Sequence, residues 1–178
     1  MIKNNYVRRC QSEGTYEKEP HENEALRGTK ETIMDVTKIP FNNFLGITKS
    51  NGSDSALLEL DESEELKNHL GTVHASAQYA LAEATSGEYL IQRFKDIIEK
   101  VRIVPVVRRA EVKYKNPARG QLKAKAAISD AIASKVASLI EQKGRAIIPV
   151  KVALSDKDGN LTMTATLEWF VQKIEDDD

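Results

Sequence analysis

Residues 72–87 read TVHASAQYALAEATSG, and this stretch decides the fold. Seven of its sixteen residues are Ala or Ser. Ala and Leu favour a helix, and Gly87 reads as its stop. Side chains this small let a helix sit very close to its neighbours. The pattern therefore predicts a buried central helix rather than a surface one.

Outward from that helix the chain alternates as strands do. Upstream, residues 44–48 and 55–60 read as two strands with Asn51-Gly52 as the turn between them. An acidic stretch, residues 61–65, follows. Downstream, Phe94, Ile97 and Ile98 predict a short amphipathic helix within residues 92–100. The period then switches to two. Ala110, Val112 and Tyr114 share one face of a strand over residues 107–115, and Leu122, Ala124, Ala126 and Ile128 share one face over 121–129. Residues 116–120, Asn-Pro-Ala-Arg-Gly, turn between them. Residues 130–143 return to helix, with Ile132, Val136, Leu139 and Ile140 as its stripe and Gly144 as its stop. Two strands close the chain, one through Ile148, Val150, Val152 and Leu154, the other through Leu161, Met163, Ala165, Leu167, Trp169 and Val171. Residues 156–160 join them as a hairpin; Asp156-x-Asp158-Gly159 has the glycine too early for a calcium loop. Hairpin-linked strands imply a mostly antiparallel sheet in an α+β fold, with one sheet around one helix. That arrangement leaves surface uncovered, so an oligomer is expected.

Composition bounds the function. At roughly 150 residues per domain, 178 residues make one domain. The reading is a polar arm over 1–30, the domain over 31–175 and an acidic tail over 176–178. With 26 Lys+Arg against 27 Asp+Glu, the net charge of −1 excludes a strongly basic nucleic-acid binder. The single cysteine, Cys10, gives neither a disulfide framework nor a zinc site. No apolar run approaches the ~20 residues of a membrane helix, and the first residues carry no signal-peptide core. Cytoplasm is the expected location, with no membrane partner. Residues 100–125 hold nine Lys/Arg and one acid, Glu111. These basic residues read as strand lysines that blunt an edge, or as attraction for phosphates with Arg119 foremost.

Glu83 interrupts the apolar run of Ala80, Leu81, Ala82 and Ala84. An ionised carboxylate there must be paired, protonated or functional. Thr72 is placed to cap the helix, leaving amides on residues 73–76 free for an anion with the helix dipole behind them. His74 and Asn68 read equally as satisfied polar residues at a helix start and a turn. His74 and Glu83 are nine residues apart, roughly 13 Å along a helix and on opposite faces. One chain cannot bring both to one atom. A two-fold dimer with antiparallel central helices places Glu83 of one chain beside the helix start of the other.

The pattern Asn68-x-x-Gly71-x-x-His74, with Leu81-Ala82-Glu83 further along the helix, resembles the hotdog-fold acyl-CoA thioesterases, in particular the phenylacetate-pathway type and its thioesterase-like relatives. The likeness extends to residues 39–47 as an opening strand, to residues 114–120 as the family's Y-x-x-P-A turn, and to residues 150–169 as its last hairpin. The resemblance implies a hotdog fold, an antiparallel β-sheet wrapped around a central small-residue helix. It implies Glu83 as general base or nucleophile on the thioester carbonyl, with Asn68 and His74 shaping the site. It places the oxyanion hole on the amides of Ala75 and Ser76, and coenzyme A contacts at Gly71 and Arg119. The chain departs from the family where Ala75-Ser76 replaces Gly-Gly, which adds two Cβ atoms beside the carbonyl. The expected substrate is a thioester of coenzyme A or acyl carrier protein, with no metal or separate cofactor, at the interface of a homodimer or homotetramer. The rivals are a hotdog module that binds acyl-CoA without turnover, a hotdog dehydratase, and a ligand-free scaffold.

Overall fold

A computed structural model of the chain describes residues 34–52 and 55–174. The polar arm of residues 1–30, with Cys10, and the acidic tail of residues 176–178 lie outside the described residues. Six strands form one sheet: β1 (Ile47–Lys49), β2 (Leu58–Leu60), β3 (Ile103–Tyr114), β4 (Leu122–Ala127), β5 (Arg145–Ser155) and β6 (Leu161–Lys173). Their order is β1-β2-β4-β5-β6-β3, and every neighbouring pair is antiparallel. The helices are α1 (Pro40–Leu45), α2 (Ala75–Arg93), α3 (Lys95–Ile98) and α4 (Asp130–Lys143).

Helix α2 is the small-residue helix. It packs against β2, β4, β5 and β6, burying Ala77, Ala80, Leu81, Ala82 and Ala84. The sheet meets it with residues of period two: Ile148, Val150 and Val152 of β5, and Met163, Ala165 and Leu167 of β6. Buried hydroxyls on α2 find local partners, as burial requires. Thr85 Oγ1 donates to Leu81 O at 2.6 Å, and Ser86 Oγ donates to Glu83 O at 2.7 Å. Trp169 Nε1 then donates to Ser86 Oγ at 2.9 Å, tying β6 to the helix. Helix α4 packs on β5 through buried Val136 and Ile140, and Gly144 ends it in the left-handed region at φ 63°. The hairpin at 156–160 is an Asx turn, with Asp156 Oδ1 accepting from the N–H groups of Asp158 and Asn160 at 3.0 and 2.9 Å.

Several elements differ from the sequence reading. Residues 39–45 form no strand: Pro40 starts α1 with its fixed φ and no N–H to lose, and Gly46 ends it. The first hairpin is shorter in its strands and longer in its loop, because Ser50 N–H donates to Leu57 O at 3.0 Å beyond Asn51-Gly52. Gly87 does not stop α2, which runs on to Arg93, because it stays out of the left-handed region that ends a helix. The following helix shrinks to one turn, α3, with Phe94 at the break. Leu161 is exposed, since the β5–β6 register shifts at Leu154/Ser155. Strand β3 is an edge, whereas on β4 the ladder with β2 covers Leu122 to Ala124, so Lys123 stands inside the sheet and Lys125 lies beyond that ladder.

Candidate functional site

The chain enters α2 through a loop held from several directions. Asn68 closes it: Oδ1 accepts from Leu70 N–H at 2.9 Å and Thr72 N–H at 3.2 Å, while Nδ2 donates to Thr72 Oγ1 at 3.0 Å. Gly71 takes φ 65°, a conformation that a side chain would strain. Val73 N–H donates to Ala118 O at 2.9 Å and His74 N–H to Leu66 O at 2.7 Å, so the 116–120 turn lies against the loop. Arg119 Nη1 reaches Gly71 O at 3.4 Å. Glu62 fastens the same turn by accepting from Gly120 N–H and pairing with Lys67 at 3.2 Å. The Gly120 amide first, then Lys67, hold the Glu62 carboxyl below the usual range.

Thr72 is therefore spent three residues before the helix, buried against Asn68, and is not the cap. His74 is the cap: its Nδ1 accepts from Ser76 N–H at 3.0 Å. With Nδ1 accepting, a neutral imidazole carries its proton on Nε2. The N–H groups of Ala77 and Gln78 both turn to His74 O at 3.1 Å. Among the described residues, the Ala75 N–H is left without an acceptor, whereas the Ser76 N–H is engaged.

One residue that the sequence reading placed on a strand and its turn, and not in the site, joins this end. Tyr114, the last residue of β3, donates its hydroxyl to Ala75 O at 3.1 Å. Read from the strand period it belongs with the inward face; in the structure its ring leans over the helix start and stays half exposed. Only its position next to the turn that grips Val73 hinted at this. Glu62, hidden in the acidic stretch, gave no such hint.

Glu83 lies two turns along α2 on the face that carries Ser76 and Tyr79, residues at i, i+3 and i+7. It is half-buried, and among the described residues its carboxylate has no hydrogen bond or ion pair. Burial alone pushes its carboxyl above the usual range. Burial, then the nearby Glu83 charge, then Tyr114 push the Tyr79 phenol up, so these three side chains share one neighbourhood. The structure thus gathers Asn68, Gly71, His74, Ala75, Ser76 and Arg119 at the start of α2. It sets Glu83 apart from them, seven residues or ~10 Å of helix beyond Ser76. Two open concavities among the described residues, of about 370 and 330 Å³, do not include Glu83.

Comparison with known proteins places this architecture. A crystal structure of a Pseudomonas aeruginosa protein of unknown function, described as a probable thioesterase, is 20% identical; it covers 85% of this chain and 96% of that one with TM-score 0.64. A provisionally assigned thioesterase from Shewanella oneidensis is 20% identical over 75% of this chain and 89% of its own, with TM-score 0.62. A Bacillus halodurans protein solved with CoA is 20% identical over 64% of this chain and 69% of its own, with TM-score 0.50. At these identities the likeness establishes the fold alone, the hotdog fold expected from the sequence. No curated protein matches the chain. Among the described residues no helix is long and apolar enough to cross a membrane. Residues 38–171 match one family model, and the chain belongs to that family, the domain of unknown function DUF4442.

Proposed function

We propose that this hotdog domain hydrolyses an acyl thioester of coenzyme A or acyl carrier protein, as a dimer whose two sites lie between the subunits. The observation that carries this reading is Glu83: a half-buried carboxylate with no partner among the described residues, on the central helix of a thioesterase-superfamily fold. Leaving such a group unpaired opposes folding, so its retention calls for work outside folding. Glu83 of one subunit and the helix start of the other would act on one carbonyl, since ~10 Å separates them within a chain.

As general base, the Glu83 carboxylate takes a proton from water while the water oxygen bonds to the thioester carbon. The carbonyl oxygen becomes the oxyanion, met by the Ala75 N–H and the positive end of α2. Collapse breaks the C–S bond, and the Glu83 proton passes to the departing thiolate. As nucleophile, Glu83 itself bonds to the carbonyl carbon, expels the thiolate as an anhydride forms, and water then cleaves the anhydride. Asn68 and His74 serve by shaping the loop and the cap. Gly71 and Arg119, exposed beside the cap, suit the phosphates of coenzyme A. No metal or cofactor of its own enters this chemistry; coenzyme A comes as part of the substrate.

A second reading has its own support. The Ser76 N–H is engaged by His74 and Ala75-Ser76 brings two Cβ atoms to the carbonyl position, which fits a module that binds acyl-CoA without turnover. Hydrolysis of short, long and aromatic acyl-CoAs by the wild type and Glu83→Gln separates the two. The hydrolase reading expects turnover that falls about 10²–10⁴-fold in the variant; acyl-CoA binding with no wild-type turnover establishes the binding module instead.

A further inference from the structure

We infer that the concavity of about 330 Å³ beside the second half of α2 binds an aliphatic ammonium ion, its charge between Glu88 and Asp35 and its carbon chain on Met34 and Ile91. This site is separate from the proposed hydrolysis and does not rest on it: Glu88 lies about 7.5 Å along the helix from Glu83 and about 140° around it. The observation that points to a ligand is the Glu88 carboxylate. Its side chain is 5% exposed, and Oε1 takes two donors, Lys49 Nζ at 2.5 Å and Gln92 Nε2 at 2.7 Å. The other oxygen, Oε2, is buried and has no hydrogen-bond partner among the described residues. A buried carboxylate oxygen without a donor opposes folding.

The lining selects the chemistry of the missing donor. Asp35 and Glu88 approach the same Lys49 ammonium, at 3.7 and 2.5 Å, so two carboxylates share one cation. The Thr37 hydroxyl, then the Thr37 N–H, then Lys49 hold the Asp35 carboxyl below the usual range, so it stays charged. Lys95, also on the lining, is engaged by Glu99 at 3.7 Å. The concavity therefore keeps one negative charge in excess, which attracts a cation. A cation that carries N–H donors answers both that charge and the free Oε2. Among the described residues no group of three acidic, histidine or cysteine side chains gathers to hold a metal ion. Met34 and Ile91 supply apolar wall, so the far end of the ligand is hydrocarbon. A primary ammonium on an alkyl chain meets each of these demands.

The test is a titration of the full chain with n-butylammonium chloride at constant ionic strength, read by the Gln92 side-chain amide and the Ile91 backbone amide in NMR spectra. The expected result is a saturable shift of both. 1-Butanol, the chain without the charge, and tetramethylammonium, the charge without N–H donors, should bind at least about tenfold more weakly, the size of one charged hydrogen bond. Glu88→Gln should weaken butylammonium by a similar factor. If that variant fails to fold, Asp35→Asn, whose side-chain oxygen still accepts from Thr37, removes one charge and should weaken binding about threefold. An equal response to tetramethylammonium or to sodium chloride means screening of surface charge and overturns the inference. So does a titration that shows no saturation by roughly 100 mM, or an affinity unchanged in the variants. A crystal grown with butylammonium that shows only water at Glu88 Oε2 overturns it as well. None of these readings depends on turnover, so the result stands apart from that of Glu83→Gln.

Discussion

Asn68→Ala tests whether the motif asparagine acts on substrate or on its own loop. The structure assigns it to the loop, through four hydrogen bonds, one at 2.9, one at 3.0 and two at 3.2 Å. The four do not count equally. Leu70 is 67% exposed, so water replaces its lost acceptor; Thr72 is 4% exposed, so its N–H and hydroxyl lose partners out of water's reach. A net hydrogen bond contributes ~0.5–1.5 kcal/mol and an orphaned buried group costs ~1–3 kcal/mol, giving about 2–3 kcal/mol for the substitution. The assay is denaturant unfolding at fixed protein concentration, since an assembling protein's midpoint depends on concentration. Asn68→Asp is the companion. Its carboxylate keeps both acceptors and the Thr72 hydroxyl turns to donate, so stability should stay within ~1 kcal/mol of wild type. Two results refute the reasoning. An alanine variant within ~0.5 kcal/mol of wild type means that the amide does not hold the loop. A stable aspartate variant that loses turnover as fully as Glu83→Gln means that the Asn68 amide touches the substrate.

Three other perturbations follow from single contacts. Burial raises the Glu83 pKa, so kcat/KM should climb with pH through a value above the ordinary 4.5 of glutamate, and a midpoint at or below 4.5 contradicts the burial. The linkage has the opposite sign for folding: the native state binds that proton more tightly, so stability falls as pH rises from the unfolded pKa through the folded one. Glu83→Gln should flatten that fall in melts between about pH 4 and 7. Lys49→Met should cost about 2–3 kcal/mol, under the 3–5 of a fully buried pair because Lys49 is half exposed. It strips the cation 2.5 Å from Glu88, whose side chain is 5% exposed and whose Oε2 has no partner. Adding Glu88→Gln should recover part of that loss in a double-mutant cycle. Gly87→Ala should add ~0.5–1 kcal/mol in thermal melts, since an added Cβ would meet Trp169 at 3.5 Å and Val36 at 3.9 Å, ordinary contact in mid-helix.

The fold was legible where one residue pattern had one physical solution. Alternation through Ile148–Leu154 and Met163–Val171 admits only a half-buried strand, and Ala/Ser density in α2 only a close-packed helix. It failed where patterns were short. Phe44, Leu45 and Ile47 look like a strand because their side chains favour one, yet Phe41 and Phe44 are exposed and the run carries a Pro start and a Gly stop within seven residues. Gly87 misled for a related reason. A glycine ends a helix by turning into the left-handed region, as Gly46 and Gly144 do; Gly87 does not, and the side chain packed beside it, Trp169, comes 82 residues later, a contact no local reading contains.

The site divides along the same line. Glu83 stood out because a lone acid in an apolar helix is costly wherever the chain folds. The state of the helix-start amides was hidden, because it depends on which of two polar neighbours arrives as the cap. Thr72 is the better capping residue by propensity, but Asn68 claims it, and His74 inherits the place. That exchange matters for the chemistry. A threonine cap would have left an imidazole free for substrate; the histidine cap consumes both the imidazole Nδ1 and the Ser76 N–H. Among the described residues, the amide left free at the helix start is that of Ala75. The same geometry bears on assembly. Glu83 lies ~10 Å along α2 from that donor set, too far for one carbonyl, and neither concavity encloses it. The proposed hydrolase therefore requires a second copy, related by a two-fold axis, that brings the Glu83 of one chain to the helix start of the other.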